Sequence, residues 1–374
     1  MCTPKETIID LRSDTLSQPT DEMRVAMANA VVGDDVYGED PTVQELEQKC
    51  AELFQKEAGL FVCSGTMGNL ISIMCHCQYR GSEAIVGQSS HVFLYEQAGA
   101  STIANVSMNT IPNNDDGTYS LDEFQKRIRG SDSHEPITSL AIVENTHNIC
   151  GGKVIPLEWI DELASICKDN NIKMHMDGAR IFHAAEYLNV PVARITRDFD
   201  SVTFCLSKSL CAPVGSVLMG SNEFIRMARR YRKALGGGMR QVGILAAAGL
   251  VALNQIVPRI GDVHEHTKQI AQAIYDMKSP YLTVDIDTVQ SNICMIHFLQ
   301  PKKYSAQYFV ERLNRVTSKE LSDGITDKFG NGIIVKVMAR DEWNCIRYVT
   351  YFHINGEMTE LAIKKIKYCI TELD

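Results

Sequence analysis

Up to about Pro258 the chain alternates short apolar runs with longer stretches of helical period. Asp40-Pro41 predicts a helix start, an acidic cap followed by a proline whose fixed φ suits the first turn. Behind it Val43, Leu46, Cys50, Leu53 and Phe54 recur at helical spacing, with Gly59 as the expected stop. Residues 60–63 read as a strand that leads through Ser64-Gly65-Thr66-Met67-Gly68-Asn69 into another helix. Further strands are expected at 84–86, 139–143, 172–176, 200–206 and 214–219, and a helix at 157–170. Strands alternating with helices predict an α/β architecture, a mostly parallel sheet covered on both faces. After Pro258 the pattern changes to helix 262–278, strand 293–298, helix 306–316, strands 333–337 and 345–351, and a closing helix. Two domains are expected, a large one over 8–258 and a smaller α+β one over 259–374, with the segment 1–16 packed near the latter.

At 374 residues the chain exceeds the size at which single cores stop growing, in line with that division. Apolar residues make up 45% and charged residues 22%, the balance of a globular protein. The net charge of −9, with no long basic run and 226–233 as the densest positive stretch, argues against nucleic acid as a partner. No apolar run reaches the roughly 18 residues of a membrane span, so no membrane segment is expected. Twelve cysteines lack disulfide or metal spacing, and most lie in apolar runs as small core residues, so no metal site is expected. A reduced compartment fits. The cytoplasm is expected, with the mitochondrion left open, and Met1 to Glu6 carry no clear targeting pattern.

Candidate chemistry concentrates where apolar strands end in charge. Asp177 follows Ile172-Lys173-Met174-His175-Met176, and Lys208 follows Val202-Thr203-Phe204-Cys205-Leu206-Ser207. Ligands of open α/β sheets sit outside the carboxyl ends of parallel strands. A carboxylate and an amine delivered there match pyridoxal 5′-phosphate (PLP). The amine condenses with its aldehyde, and the carboxylate keeps its pyridine nitrogen protonated so that the ring accepts electrons. Ser64-Gly65-Thr66 adds backbone N–H groups at a helix start, which bind a phosphate. Neither a dinucleotide fingerprint nor a P-loop is present, and Gly236-Gly237-Gly238 has the spacing of neither. His91 and His147 each follow a strand, where either can act as general base or position a water. The flat ring of His91 can also stack on a pyridine. Arg180, three residues after Asp177, and Arg347, inside the apolar run Cys345-Ile346-Arg347-Tyr348-Val349-Thr350, can each clamp an amino-acid carboxylate. His264-Glu265-His266 reads as solvated, because positions i and i+2 diverge on a helix.

Together these residues resemble the low-specificity L-threonine aldolases, PLP enzymes of the aspartate aminotransferase fold. The likeness runs from Asp10 to Thr350. It is carried by Asp10-Leu11-Arg12-Ser13-Asp14-Thr15, Gly33-Asp34-Asp35-Val36-Tyr37-Gly38-Glu39-Asp40-Pro41-Thr42, Ser64-Gly65-Thr66 and Glu144-Asn145-Thr146-His147-Asn148. It continues through Asp177-Gly178-Ala179-Arg180, Ser207-Lys208, Gly236-Gly237-Gly238-Met239-Arg240-Gln241 and Arg347-Tyr348-Val349-Thr350.

The resemblance implies a seven-stranded, mostly parallel sheet in the large domain. It implies retro-aldol cleavage of L-threonine, L-allo-threonine and other β-hydroxy-α-amino acids to glycine and an aldehyde such as acetaldehyde. Lys208 would bind the cofactor aldehyde, Asp177 would pair with the pyridinium, and His91 would stack on the ring. Gly65 and Thr66 would hold the phosphate, with Arg180 and Arg240 also at the cofactor. Ser13, Arg180 and Arg347 would hold the substrate carboxylate, and His91 and His147 would lie near the substrate hydroxyl. Tyr37, Lys233 and Arg240 fall in segments that help complete a neighbouring subunit's site, so a homotetramer, a dimer of dimers, is implied. The chain departs from the family where Ser209, Cys211 and Ala100 replace the usual glycines; Cβ atoms disfavour positive φ and add bulk beside the cofactor. Two other readings stand beside this one. One is a fold-related PLP lyase or aminotransferase; the other is a catalytically silent PLP-binding paralogue.

Overall fold

The structure, a computed structural model, describes residues 6–130, 132–340 and 343–373. Of the opening segment read for targeting, Met1 to Lys5 lie outside the described residues. The chain divides into two compact units, one of Gln18–Pro258 and one of the residues up to Ser17 with those from Arg259 onward. Residues 8–17, numbered with the large domain in the sequence reading, go with the second unit. The reason is that β1 (Glu6–Asp10) pairs in parallel with residues Gly332–Lys336.

The unit Gln18–Pro258 is built on the seven-stranded sheet. Its strands are β2 (Ala58–Val62), β3 (Ser82–Gly87), β4 (Ser107–Ile111), β5 (Ile137–Glu144), β6 (Lys173–Asp177), β7 (Ser201–Cys205) and β8 (Ser216–Gly220). Their spatial order is β2-β8-β7-β6-β5-β3-β4. Strands β4, β3, β5, β6 and β7 pair in parallel, and β8 pairs antiparallel with both β7 and β2. Every residue of β3, β7 and β8 is buried, as in sheets covered on both faces.

Helix Pro41–Phe54 starts as expected, with the Asp40 side chain accepting the Val43 N–H at 3.1 Å. Its end differs. Gln55 takes the left-handed conformation (φ 51) that closes the helix, and Gly59 lies inside β2 instead. A Cβ at Gly59 would come within 2.7 Å of the Glu47 carbonyl oxygen, so close packing against the helix explains that glycine. Leu53, expected on the buried face, is exposed.

The second unit holds β9 (Leu282–Thr283), β10 (Ile293–Phe298), β11 (Gly332–Lys336), β12 (Met338–Arg340) and β13 (Cys345–Val349). Strands β1 and β11 form one small sheet, and β12-β13-β10-β9 form an antiparallel one. Ile9, Leu11, Ile270, Phe309, Tyr348 and Ile366 share its core. Helix Ile260–Tyr275 packs Ile260, His264, Thr267 and Ala271 on one face. His264 is therefore buried, against the expectation that it is solvated. One helical run, Gly243–Tyr275, is long and apolar enough by composition to cross a membrane, and half of its most apolar stretch is buried within the protein.

Candidate active site

The two strand ends deliver the charges the sequence points to. Asp177 is the last residue of β6, and Lys208 lies in the turn between β7 and β8, where its carbonyl accepts the Cys211 N–H. Asp177 is 3% exposed. Its Oδ1 accepts the Ala179 N–H at 3.2 Å and its Oδ2 accepts from Asn69 Nδ2 at 3.0 Å. The same Asn69 amino group donates to Glu96 Oε1 at 3.0 Å, and that oxygen lies 2.9 Å from His91 Nδ1. Polar atoms of His91, Glu96 and Asp177 thus lie within 4.8 Å of one another. The hydrogen bond to Glu96 raises the His91 pKa against the opposing effect of burial; Asp177 adds to the rise and Lys208 works against it. Burial raises Glu96. Drawn as a donor, His91 Nδ1–H joins the Asn69 amino group on Glu96 Oε1, which leaves Nε2 as the ring nitrogen not turned to Glu96.

Helix Gly65–His76 follows β2 and is capped by Ser64, whose Oγ accepts the Met67 N–H at 3.1 Å. Amides at a helix start have no intrahelical partner and favour an anion. Thr66 is exposed at this end. A Cβ on Gly65 would lie 2.9 Å from Cys205 Sγ and 3.7 Å from Ser216 Oγ, so the glycine lets the first turn of the helix pack closely against the ends of β7 and β8. Ser216 Oγ and Thr203 Oγ1 are buried with no hydrogen-bond partner among the described residues. Free amides at a helix start, a buried carboxylate, an amine and a flat histidine fit PLP.

The segment after β5 supplies the third wall. Glu144 accepts the His91 N–H at 2.6 Å and the Asn148 N–H at 2.8 Å, tying two loops together. His147 is buried, and its Nδ1 accepts the Cys150 N–H at 3.4 Å. The ring proton then resides on Nε2, which has no hydrogen-bond partner among the described residues. His147 is a donor in this arrangement, and His91 is the ring left with a basic nitrogen. Asn145 Nδ2 and Thr146 Oγ1 are likewise buried without a partner among the described residues.

Arg180 is buried at the start of helix Ile181–Leu188. Arg347 and Ser13 belong to the other unit, where Arg347 Nη2 donates to the Arg12 carbonyl at 3.2 Å, next to Ser13. Ser13 Oγ accepts the Thr15 N–H at 3.2 Å. Tyr37, Lys233 and Arg240 are exposed and lie in a basic surface patch outside the buried cluster. Arg240 bonds Asp34 at 2.8 Å and stands 6.0 Å from the Tyr37 ring centre. Lys233 lines a hollow of about 480 Å³ with Val36, Arg226, Arg229 and Arg230. In the lysine turn, Cys211 adopts φ 65 despite its Cβ, and Ser209 stays outside the left-handed region. Sequence reasoning missed Asn69, Glu96 and His175. Asn69 stands in a quoted motif, but Glu96 stands in none.

The sequence matches the beta-eliminating lyase family over residues 10–298. It is 45% identical over 301 residues to low-specificity L-threonine aldolase 1 of Arabidopsis thaliana, covering 80% of this chain and 84% of that one. It is 44% identical over 278 residues to the low specificity L-threonine aldolase of Escherichia coli strain K12, covering 74% and 82%. Among solved structures, the threonine aldolase of Leishmania major superposes with a TM-score of 0.76 over 98% of this chain and 99% of that one; at 16% identity this is a likeness of fold.

Proposed function

The chain belongs to the beta-eliminating lyase family, among the low-specificity L-threonine aldolases, and on that premise we propose that it cleaves β-hydroxy-α-amino acids with PLP. L-Threonine and L-allo-threonine are the substrates, glycine and acetaldehyde the products. The observation that carries this reading is the buried Asp177 carboxylate, held by Asn69 in a cluster whose electrostatics join Glu96, His91 and Lys208.

When bound, PLP supplies a protonated ring that takes up the electron pair of the breaking Cα–Cβ bond. Lys208 would provide the amine for its aldehyde, and Asp177 would accept the hydrogen bond of its ring nitrogen. The amides at the start of helix Gly65–His76 would hold its phosphate. Arg180 would grip the substrate carboxylate, an orientation that decides which bond at Cα is weakened; Arg347 and Ser13 are the carboxylate ligands the family resemblance adds. His91, its Nδ1 turned to Glu96, offers Nε2 to take the β-hydroxyl proton as the aldehyde forms. His147 Nε2–H donates to the hydroxyl oxygen. The proton His91 takes from the hydroxyl balances the one glycine gains at Cα, so the cleavage as a whole consumes and releases none. Tyr37, Lys233 and Arg240 complete the site of a neighbouring subunit in a homotetramer, which fits their exposure and charge.

Incubation with L-threonine and no keto acid tests the reading. Glycine and acetaldehyde are expected in equal amounts; ammonia and a keto acid would replace it with elimination. Lys208→Ala should lose both turnover and the visible absorbance of bound cofactor, and full turnover in that variant would end the proposal.

A further inference from the structure

A line of hydrogen bonds leads from Asp177 to the opposite end of its strand. His175 and Asp177 share one face of β6, two residues apart, and Ser201 on β7 is the register partner of His175. Asn69 Oδ1 lies 3.0 Å from His175 Nε2, His175 Nδ1 lies 2.8 Å from Ser201 Oγ, and the same Oγ lies 2.8 Å from His76 Nε2. His76 stacks on Phe224 with ring centres 4.8 Å apart and borders a cavity of about 540 Å³.

The partners of Asn69 and the burial of both rings set the proton positions along this line. Both partners of the Asn69 amino group are carboxylate oxygens, which accept, so Asn69 Oδ1 must accept in turn. His175 Nε2 therefore carries the ring proton. Burial pushes His175 down to about 4 and His76 to about 3, so both rings are neutral near pH 7. His175 Nδ1 then needs a donor, which is the Ser201 hydroxyl, and the Ser201 oxygen takes the proton of His76 Nε2. Every donor in the line points toward Asp177, and such aligned bonds strengthen one another. The order also has a consequence for Asn69. A flipped amide would set its carbonyl oxygen 3.0 Å from two carboxylate oxygens and its amino group against the His175 Nε2–H, so the carboxylates and the ring together hold the amide in one orientation.

We propose that Asn69, His175, Ser201 and His76 are positioning residues that hold the Asp177 carboxylate in place for the ring nitrogen of the cofactor. The proposal rests on the PLP reading above and on no particular substrate. Its sharpest consequence falls on Ser201, whose hydroxyl bonds His175 and His76 and not Asp177 or Asn69. Removing its hydroxyl leaves the buried His175 Nδ1 without its donor, so the ring loses the contact that holds its Nε2–H against Asn69 Oδ1.

The test uses holoenzyme loaded with PLP carrying ¹⁵N in the ring, read by NMR for protonation of that nitrogen and by absorbance for cofactor affinity. Ser201→Ala and His175→Phe should lose the ring proton about one pH unit lower than wild type and bind PLP about tenfold more weakly, the size of one lost hydrogen bond to a charged group. The KM for the amino acid should hold. Ser201→Thr, which keeps the hydroxyl, should restore both readouts. Wild-type ring protonation and affinity in folded Ser201→Ala would overturn the proposal. If His175→Phe does not fold, Ser201→Ala and His76→Phe decide. A protein that fails to cleave threonine yet shows this dependence overturns the aldolase reading alone; one that cleaves threonine without it overturns this inference alone.

Discussion

At the scale of single residues, Cys211 shows how the lysine turn is held. Where the family has glycine, this chain places a side chain, and the backbone still takes φ 65. A non-glycine residue there costs about 1–2 kcal/mol. Cys211 is fully buried, so its thiol contacts offset part of that strain. Two substitutions separate the terms. Cys211→Gly removes strain and packing together and should stay within about 1 kcal/mol of wild type. Cys211→Val keeps the bulk but adds a β-branch to a left-handed position, and should cost more than about 2 kcal/mol. Urea unfolding ranks the three proteins; a valine variant as stable as wild type would show that the turn carries no strain.

Helix Gly65–His76 joins the phosphate cradle to the charge cluster, since it contributes both Gly65 and Asn69. A Cβ at Gly68 would stand 2.7 Å from Thr203, which locks the helix onto β7. Gly65→Ala should therefore push Cys205 aside or lift the first turn, displacing the amides that would hold the phosphate. PLP affinity should fall about tenfold or more, with the melting temperature of the cofactor-free protein nearly unchanged. Equal affinity would place the phosphate elsewhere. Elements like this one were legible because their patterns are local. Apolar runs ending in Asp177 and Lys208 mark β6 and the turn after β7, and Ser64-Gly65-Thr66 marks a strand-to-helix passage. The strand Ser107–Ile111 escaped because Ser-Met-Asn-Thr-Ile, on the sheet edge, lacks a buried apolar run. The helix end at Gln55 escaped because no glycine announces it. Glu96 escaped for a different reason: it acquires its role from Asn69, 27 residues away, which in turn meets Asp177 across 108. Nothing in the local sequence of Glu96 records those partners, whereas Asn69 stands beside a motif that names its neighbourhood.

For the molecule as a whole, buried neutral histidines make stability depend on pH in a definite direction. His175 and His76 are pushed by burial to about 4 and about 3, and His264, in the other unit, to about 4. In the unfolded chain each titrates near 6.5. Between those values the unfolded chain binds protons that the native protein refuses, so stability falls as pH drops from about 6.5 toward 4 and is retained above 6.5. For His175 alone the full loss is roughly 3 kcal/mol. Raised His91 acts with the opposite sign: its contribution is complete below the unfolded value and fades as pH rises through its folded one. Urea midpoints measured at intervals from neutral pH to about pH 4 should decline steadily, and His76→Phe, which removes one protonation from the unfolded chain, should flatten that decline. The flattening matters more than the decline, because carboxylates also titrate toward pH 4 and only the variant isolates a histidine. A slope unchanged by His76→Phe would mean that His76 is protonated in the native protein, and its ring nitrogen could then be satisfied without Ser201, leaving the hydrogen-bond line to Asp177 with no fixed direction.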